Sequence, residues 1–426
     1  MDNAYWLGID FGTSGARAIA LDRTAQICHE QSLPFASPAD LRDPQTWKAA
    51  LFALIRGLPA NLRANLQAIA LNGTSSTVLL CDAQGQPLLP PLLYNDVCDH
   101  DLIAILQPIV PPSHCVLSAS SSLVKLLTFA TQPEWHEARF FLHQADWLAF
   151  LLHGQLGHSD YHNSLKLGYD PATQTYPDWF NHPRLQPLQS LLPSVVPPGT
   201  ILGTVASAVA LDLELPNTCR ICAGTTDSIA AFIASGATQP GQAVTSLGST
   251  LVLKLLSEQR VDQADYGIYS HRLGRFWLVG GASNTGGAVL SHFFSPQELQ
   301  DLSQRINPHR LSPFHYYPLL RPGERFPIND PDLPPRLEPR PSDPVDFLHG
   351  LLESLARIEA QGYGLLEQYG ASPLKQVLTA GGGAQNETWQ ILRQRHLQVP
   401  VRRSPQEQAA YGTALLALRS TAIPST

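Results

Sequence analysis

The sequence predicts an α/β protein built from two similar halves. Three features carry that expectation: a strand, Gly/Thr/Ser turn, strand unit opens the chain, the same unit returns after residue 220, and helical patterns separate the strands.

Residues 5–22 read as two apolar strands joined by the turn Gly12-Thr13-Ser14-Gly15, a β-hairpin. Asp43 then supplies an N-cap and Pro44 the first helical position, after which Trp47, Leu51, Leu54, Ile55 and Leu58 recur on one face. Residues 66–71 and 77–81 are written as further strands. From 117 to 152 helical apolar patterns alternate with polar loops, and 160–170 is rich in turns. Residues 221–227 then repeat the opening pattern of apolar run, glycine, hydroxyls and aspartate, and 244–252 set Gly248-Ser249-Thr250 between two strands. This echo puts the domain boundary near residue 223, giving domains 1–223 and 224–426.

Eleven of the 36 prolines fall between residues 308 and 344, a density that no helix or central strand tolerates. An irregular surface excursion is expected there. Asp343-Pro344 restarts a helix through Phe347, Leu348, Leu351, Leu352, Leu355 and Ile358, with Gly370 as its stop. A strand over 376–379, the run Gly381-Gly382-Gly383 and a helix over 385–397 follow. Such a glycine run lets a ligand approach the backbone.

Composition narrows the function. The 426 residues are 44% hydrophobic and 15% charged, with a formal net charge of −7, so a large core is available and a basic footprint for nucleic acid is missing. No run approaches the roughly 18 apolar residues of a membrane span, and the opening residues lack a signal-peptide pattern. The expectation is a cytoplasmic protein, or a stromal one if a transit peptide was removed. Six scattered cysteines do not make a disulfide scaffold, and Cys219-Arg220-Ile221-Cys222, without a second pair of ligands, reads as structural.

Phosphate groups need backbone N–H donors, hydroxyls and close approach, which Gly12, Thr13, Ser14 and Gly15 can provide. One such turn alone reads as an ordinary hairpin. A second at Gly248-Ser249-Thr250, with the triple glycine at Gly381, points instead to a nucleotide held by loops from both halves. Asp10 ends the first strand just before its turn, where a carboxylate can hold Mg²⁺, and Asp227 ends a strand in the equivalent place. Either aspartate alone is more simply a turn-former or cap, but the pair suggests two walls of a phosphoryl-transfer site. The 15 histidines show no sustained ligand spacing and read as structural. Trp389 follows the glycine run closely; its indole either flanks adenine or packs on the sheet.

In this order the motifs resemble the FGGY carbohydrate kinases of the actin-like ATPase superfamily, along essentially the whole chain. Residues 8–17 resemble the family's first phosphate motif, 246–250 the second, 379–386 with Trp389 the adenosine motif and 409–414 the closing helix. Residues 122–126, 146–148 and 160–164 fit the middle signature region. The resemblance implies two actin-like, ribonuclease H-like domains with a sugar and ATP in a central cleft. It implies Asp227 as catalytic base and Asp10 at Mg²⁺, both near the sugar. It also implies Gly12, Thr13, Ser14, Arg17, Gly248, Ser249, Thr250, Gly287, Gly382, Gly383, Asn386 and Trp389 at the nucleotide.

The sugar region departs from the pattern of xylulose kinases. Their Gly-Gln-Met-His stretch is replaced by Gly73-Thr74-Ser75-Ser76, which would wall the sugar with short hydroxyls, and their Trp-x-Asp-x-Arg element appears as Tyr94-Asn95-Asp96-Val97-Cys98. The shortened pattern resembles a cyanobacterial and plant branch for which D-ribulose is the implied substrate. Expected partners are a small sugar and ATP or ADP, with no nucleic acid and no membrane, in a monomer or homodimer. Alternatives are a xylulokinase, a glycerol or polyol kinase, or a heat-shock-like switch ATPase that binds a protein partner. Residues 117–170 favour the kinase, because a switch ATPase has no evident use for them.

Overall fold

The computed structural model describes residues 4–112 and 114–421. The chain forms two compact units, Met1–Ala234 with Gln408–Thr426, and Ser235–Glu407. The boundary expected near 223 is therefore displaced to Ala234, and the closing segment returns to the first unit. Residue 223 lies inside a strand bonded on both sides, so no boundary can fall there without opening the sheet.

In the first unit β1 (Tyr5–Phe11) and β2 (Gly15–Leu21) form the expected hairpin, extended by β3 (Ile27–Pro34). The Asp43 carboxylate accepts the Gln45 and Thr46 N–H groups at the start of α1 (Pro44–Arg56), and α2 (Ala60–Arg63) leads into β4 (Leu66–Gly73), parallel to β1. There follow β5 (Val78–Cys81), α3 (His100–Leu106), α4 (Ser122–Ala130), β6 (Phe140–His143), α5 (Gln144–His153), β7 (His158–Asp160), β8 (Ser194–Val196), β9 (Ile201–Thr204) and α6 (Ser207–Leu213). Then β10 (Arg220–Thr226) pairs parallel with β4 and runs directly into α7 (Asp227–Ala234). The sheet order is β3-β2-β1-β4-β10-β9, so β1, β4 and β10 lie side by side and end on one edge.

Alternation along β1 sorts its side chains to two faces. Leu7, Ile9 and Phe11 enter the core with Trp47 of α1 and Trp147 of α5, whose indoles meet edge-on at 6.3 Å. Gly8 and Asp10 take the opposite face. The closing helix packs there so tightly that a Cβ on Gly8 would lie 2.1 Å from the Ala410 carbonyl oxygen.

The second unit repeats the scheme. Its elements are β11 (Gln242–Leu247), β12 (Leu251–Ser257), β13 (Tyr269–Leu273), β14 (Phe276–Ala282), α8 (Gly287–Phe293), α9 (Pro296–Arg305), α10 (Pro344–Gln368), β15 (Gln376–Ala380), α11 (Glu387–Leu397) and β16 (Val401–Arg403). The chain then closes in α12 (Ala409–Thr421) of the first unit. β11 and β12 form a hairpin, and β15 runs parallel to β11, as β4 does to β1.

The proline-rich segment is irregular as expected, but it is not a surface excursion. Tyr316, Tyr317, Leu319 and Phe326 are buried in the core of the second unit. Glu324 fastens the segment, accepting the Asn284 N–H at 2.7 Å and the Tyr317 hydroxyl at 3.0 Å. Prolines here fix a path whose aromatic side chains roof the β-sheet core.

A buried ion pair ties the remaining elements of this unit together. Arg393 of α11 donates to both Glu359 oxygens, at 2.6 and 2.7 Å, and to the Thr379 hydroxyl of β15 at 2.7 Å, while the Thr245 hydroxyl of β11 donates to the same glutamate. Both charged side chains are 1% exposed. Removing one partner strands the other charge away from water, so Glu359→Ala should destabilise the second unit by about 3–5 kcal/mol in urea unfolding. A loss below about 1 kcal/mol would show that water replaces the lost carboxylate.

Candidate active site

Strand register assembles the polar centre of the first unit. Asp10 on β1 pairs with Asn72 on β4, Asn72 with Thr225 on β10, and Gly73 with Thr226; Asp227 follows as the first residue of α7. Three parallel strands therefore deliver an aspartate, an amide and hydroxyls to one edge, the end at which open α/β sheets bind ligands.

Asp10 is half-buried, and its Oδ1 is enclosed without a hydrogen-bond partner. Its carboxyl is raised to about 7, chiefly because burial strips it of solvent and then because Asp227 repels its charge; Arg17 and the Asn72 amide pull the other way. A carboxylate so placed is short of positive charge. The Asn72 amide also donates to the Thr413 hydroxyl of α12 at 2.6 Å, linking the strand edge to the closing helix. Asp227 accepts the Ser228 N–H at 2.7 Å, and His162 Nδ1 lies 2.7 Å from the Thr225 hydroxyl. The Thr226 hydroxyl is buried without a partner.

The Gly12-Thr13-Ser14-Gly15 turn closes through the Gly12 N–H to the Gly15 carbonyl at 3.0 Å, leaving Thr13 and Ser14 exposed at its tip. Arg17 is exposed, 3.9 Å from Glu30. Beside this turn lies a pocket lined by Gly12, Thr13, Thr77, Leu93, Tyr94 and Gln144, among others.

The three hydroxyl residues expected at the sugar fare differently. Thr74 is buried and already engaged, its N–H donating to Gln144 Oε1 at 3.2 Å and its hydroxyl bonded to that of Thr77. It helps hold the turn in shape and also lines the pocket beside Gly12 and Thr13. Ser75 is half-buried, and Ser76 is buried at φ +64° with its hydroxyl unpartnered.

Several residues of this site escaped sequence reading. Asp96, left without its motif arginine, is held bidentately by Arg42 at 2.6 and 2.8 Å. Lys125, His143 and Asp146 form a buried polar layer behind the pocket, with His143 3.0 Å from Asp146 and 3.2 Å from Ser122. Burial and the Asp146 charge push the nearby Asp160 carboxyl upward. Only the spacing of the middle signature hinted at this layer. Among the described residues no three His, Cys, Asp or Glu side chains gather into a metal-holding group.

In the second unit Gly248-Ser249-Thr250 turns between β11 and β12 with Ser249 exposed. The Gly287 and Ala288 N–H groups, opening α8, donate to the Gly248 and Ser249 carbonyls at 2.8 and 3.1 Å. Gly287 thus supports the turn; a Cβ there would lie 2.6 Å from the Gly248 oxygen. After β15 the Gly381 N–H donates to Glu407 at 2.7 Å, and Gly382 is open to approach. One expected adenosine contact is corrected. Trp389 is 3% exposed and packs beneath Gly383, so its ring supports the glycine run and offers no face for a base. Asn386 is the N-cap of α11, accepting the Trp389 N–H at 2.9 Å and donating to Ser303 at 2.8 Å.

The chain is similar to known proteins over nearly its whole length. A xylulose kinase of Staphylococcus epidermidis is 23% identical over 442 aligned residues, spanning 96% of this chain and 87% of that one. The ligand-bound xylulose kinase of Lactobacillus acidophilus superposes with a TM-score of 0.84 at 17% identity, covering 98% of this chain and 89% of that one. Plasmodium falciparum glycerol kinase with ADP gives 0.83 at 17%, with 98% and 89% covered. Residues 5–234 match the N-terminal domain of the FGGY family of carbohydrate kinases and residues 243–421 its C-terminal domain. With both domains matched in order, on two α/β units, the chain belongs to the FGGY family of carbohydrate kinases, enzymes that move a phosphoryl group from ATP to a sugar.

Proposed function

We propose that this kinase phosphorylates a small ketose, D-ribulose, to D-ribulose 5-phosphate, with Mg²⁺ and ATP. The observation that carries the chemistry is the Asp10 carboxylate, with one enclosed and unpartnered oxygen beside a second aspartate at the strand edge. Hard oxygen donors of this kind suit Mg²⁺, which usually takes one or two carboxylates and completes its shell with phosphates and water. When bound, the metal neutralises charge on the transferring phosphoryl group.

The chain's own residues then divide the work. Asp227 accepts the proton of the attacking sugar hydroxyl as the new P–O bond forms and the bond from the γ-phosphorus to the bridging oxygen breaks, releasing ADP. A carboxylate is a weak base, yet a loose transition state asks for placement more than early deprotonation. The turn Gly12-Thr13-Ser14-Gly15 in the first unit and the turn Gly248-Ser249-Thr250 in the second are each suited to hold phosphate oxygens, and the open face at Gly382 suits an adenosine. Ser75 and the unpartnered Ser76 hydroxyl support D-ribulose, since short hydroxyls leave room and polar capacity for a sugar where xylulose kinases carry larger side chains. Buried polar groups discriminate strongly because a mismatched sugar leaves them unpaired.

Asp227→Ala should lower kcat about 100-fold or more while ADP affinity stays unchanged, the scale for a positioned general base; near wild-type turnover would remove Asp227 from the mechanism. In side-by-side kinetics D-ribulose should give a higher kcat/KM than D-xylulose, its epimer at C3, or glycerol. A preference for D-xylulose would bring the substrate into line with the similar proteins' names and overturn the D-ribulose reading. Trp389→Phe should leave ADP affinity within about twofold by calorimetry, because a buried indole stacks on no base. A tenfold weakening, on the order of one lost stacking contact, would restore Trp389 to the nucleotide site.

A further inference from the structure

Lys125 of α4 has no part in the phosphoryl-transfer scheme, yet its side chain is wholly buried. Its ammonium donates to the Ser76 carbonyl at 2.8 Å and to the Leu93 carbonyl. Those carbonyls belong to the two loops that wall the pocket beside the Gly12-Thr13-Ser14-Gly15 turn. The same loops are joined again by the Tyr94 N–H, which donates to the Thr77 hydroxyl at 3.0 Å.

Ser76 sits at φ +64°, a left-handed geometry that a serine keeps only when its surroundings impose it. Its own hydroxyl has no partner, so the side chain does not stabilise the turn locally. The Lys125 bond to its carbonyl is an anchor from outside the turn. Charge-assisted bonds of this kind are about twice as strong as neutral ones.

We propose that Lys125 is a positioning residue of the acceptor pocket, holding the Ser76 turn and the Leu93-Tyr94 wall at fixed spacing and so setting affinity for the sugar rather than the rate of transfer. This rests on the proposed placing of the sugar at the turn of Ser75 and Ser76, extended here to the pocket that Thr74, Thr77 and Leu93 line beside it. A hydrophobic side chain of similar length would fill the same buried space but could not grip the carbonyls.

The charge on Lys125 gives the inference a signature. Burial lowers its pKa from 10.5 to about 8; Cys98 and Asp96 favour the ammonium, while Lys166 and Arg42 oppose it. Between those pH values the unfolded chain binds the proton that the folded protein has lost, so this group's contribution to stability improves as pH rises. Its grip on the carbonyls weakens over the same window. A purely structural lysine would follow the stability, whereas a positioning lysine raises the acceptor KM.

The test is steady-state kinetics with D-ribulose varied at saturating ATP. Lys125→Met should raise the acceptor KM about tenfold, as expected for two buried carbonyls left unpaired, with kcat and the ATP KM within about twofold. The wild-type acceptor KM should climb severalfold from about pH 7 to about pH 9, and the variant's should stay flat. Lys125→Gln, neutral but able to donate, should show an intermediate KM and the same flat profile; it and the wild-type profile decide the matter if the methionine variant fails to fold. An unchanged acceptor KM, an equal fall in kcat, or identical pH profiles would overturn the role of Lys125 and leave the kinase reading standing. A wild-type enzyme that phosphorylates no sugar would bring down both.

Discussion

A half-enclosed carboxylate with one unpartnered oxygen, repelled by a second aspartate, is the constraint around which the first unit is arranged. Asp10 can occupy that position only because β1 is central, so that one neighbour, β4, supplies an amide in register and the other, β2, presents Arg17 across the hairpin. The tight seat of α12 against Gly8 keeps bulk away from the same face of the strand. The consequence is a carboxyl raised to about 7, which a bound cation would return to its ionised form. Sheet order, helix packing and electrostatics all converge on that one group.

Much of the fold is legible in the sequence because local rules and the global fold agree there. The hairpin of β1 and β2, the Asp43 cap of α1, the long α10 with its Gly370 stop and the β11–β12 turn are all local, and the structure contains each of them. What local pattern cannot carry is pairing. Asn72 falls just past the strand read over 66–71, and only the parallel register sets it between Asp10 and Thr225. Lys125 and Arg42 are likewise unremarkable until long loops bring carbonyls or Asp96 to them. The domain boundary eluded the sequence because a helix more than 170 residues downstream of α7 returns to pack on it.

Motif residues at the candidate site also carry structural work. Thr74, Asn386 and Trp389 are residue types that bind ligands well, and for the same reasons they cap helices, bond to neighbouring loops and fill space beneath glycines. Sequence motifs mark where a loop must be held in shape; only coordinates separate the residues that hold it from those that face outward. The buried Arg393–Glu359 pair in the second unit belongs to the first kind, joining β11, β15, α10 and α11 around the base of the glycine run. The proline-rich segment does similar work by different means, with buried aromatic rings in place of charge.

The account depends most on the claim that the Asp10 carboxylate answers to a metal. A Mg²⁺ titration of sugar phosphorylation by the wild-type protein and by Asp10→Asn tests it directly, because asparagine keeps the size and hydrogen bonding but removes the charge. The account predicts that the variant needs a markedly higher Mg²⁺ concentration for half-maximal rate, or loses turnover altogether. An unchanged Mg²⁺ dependence together with an unchanged kcat would contradict it.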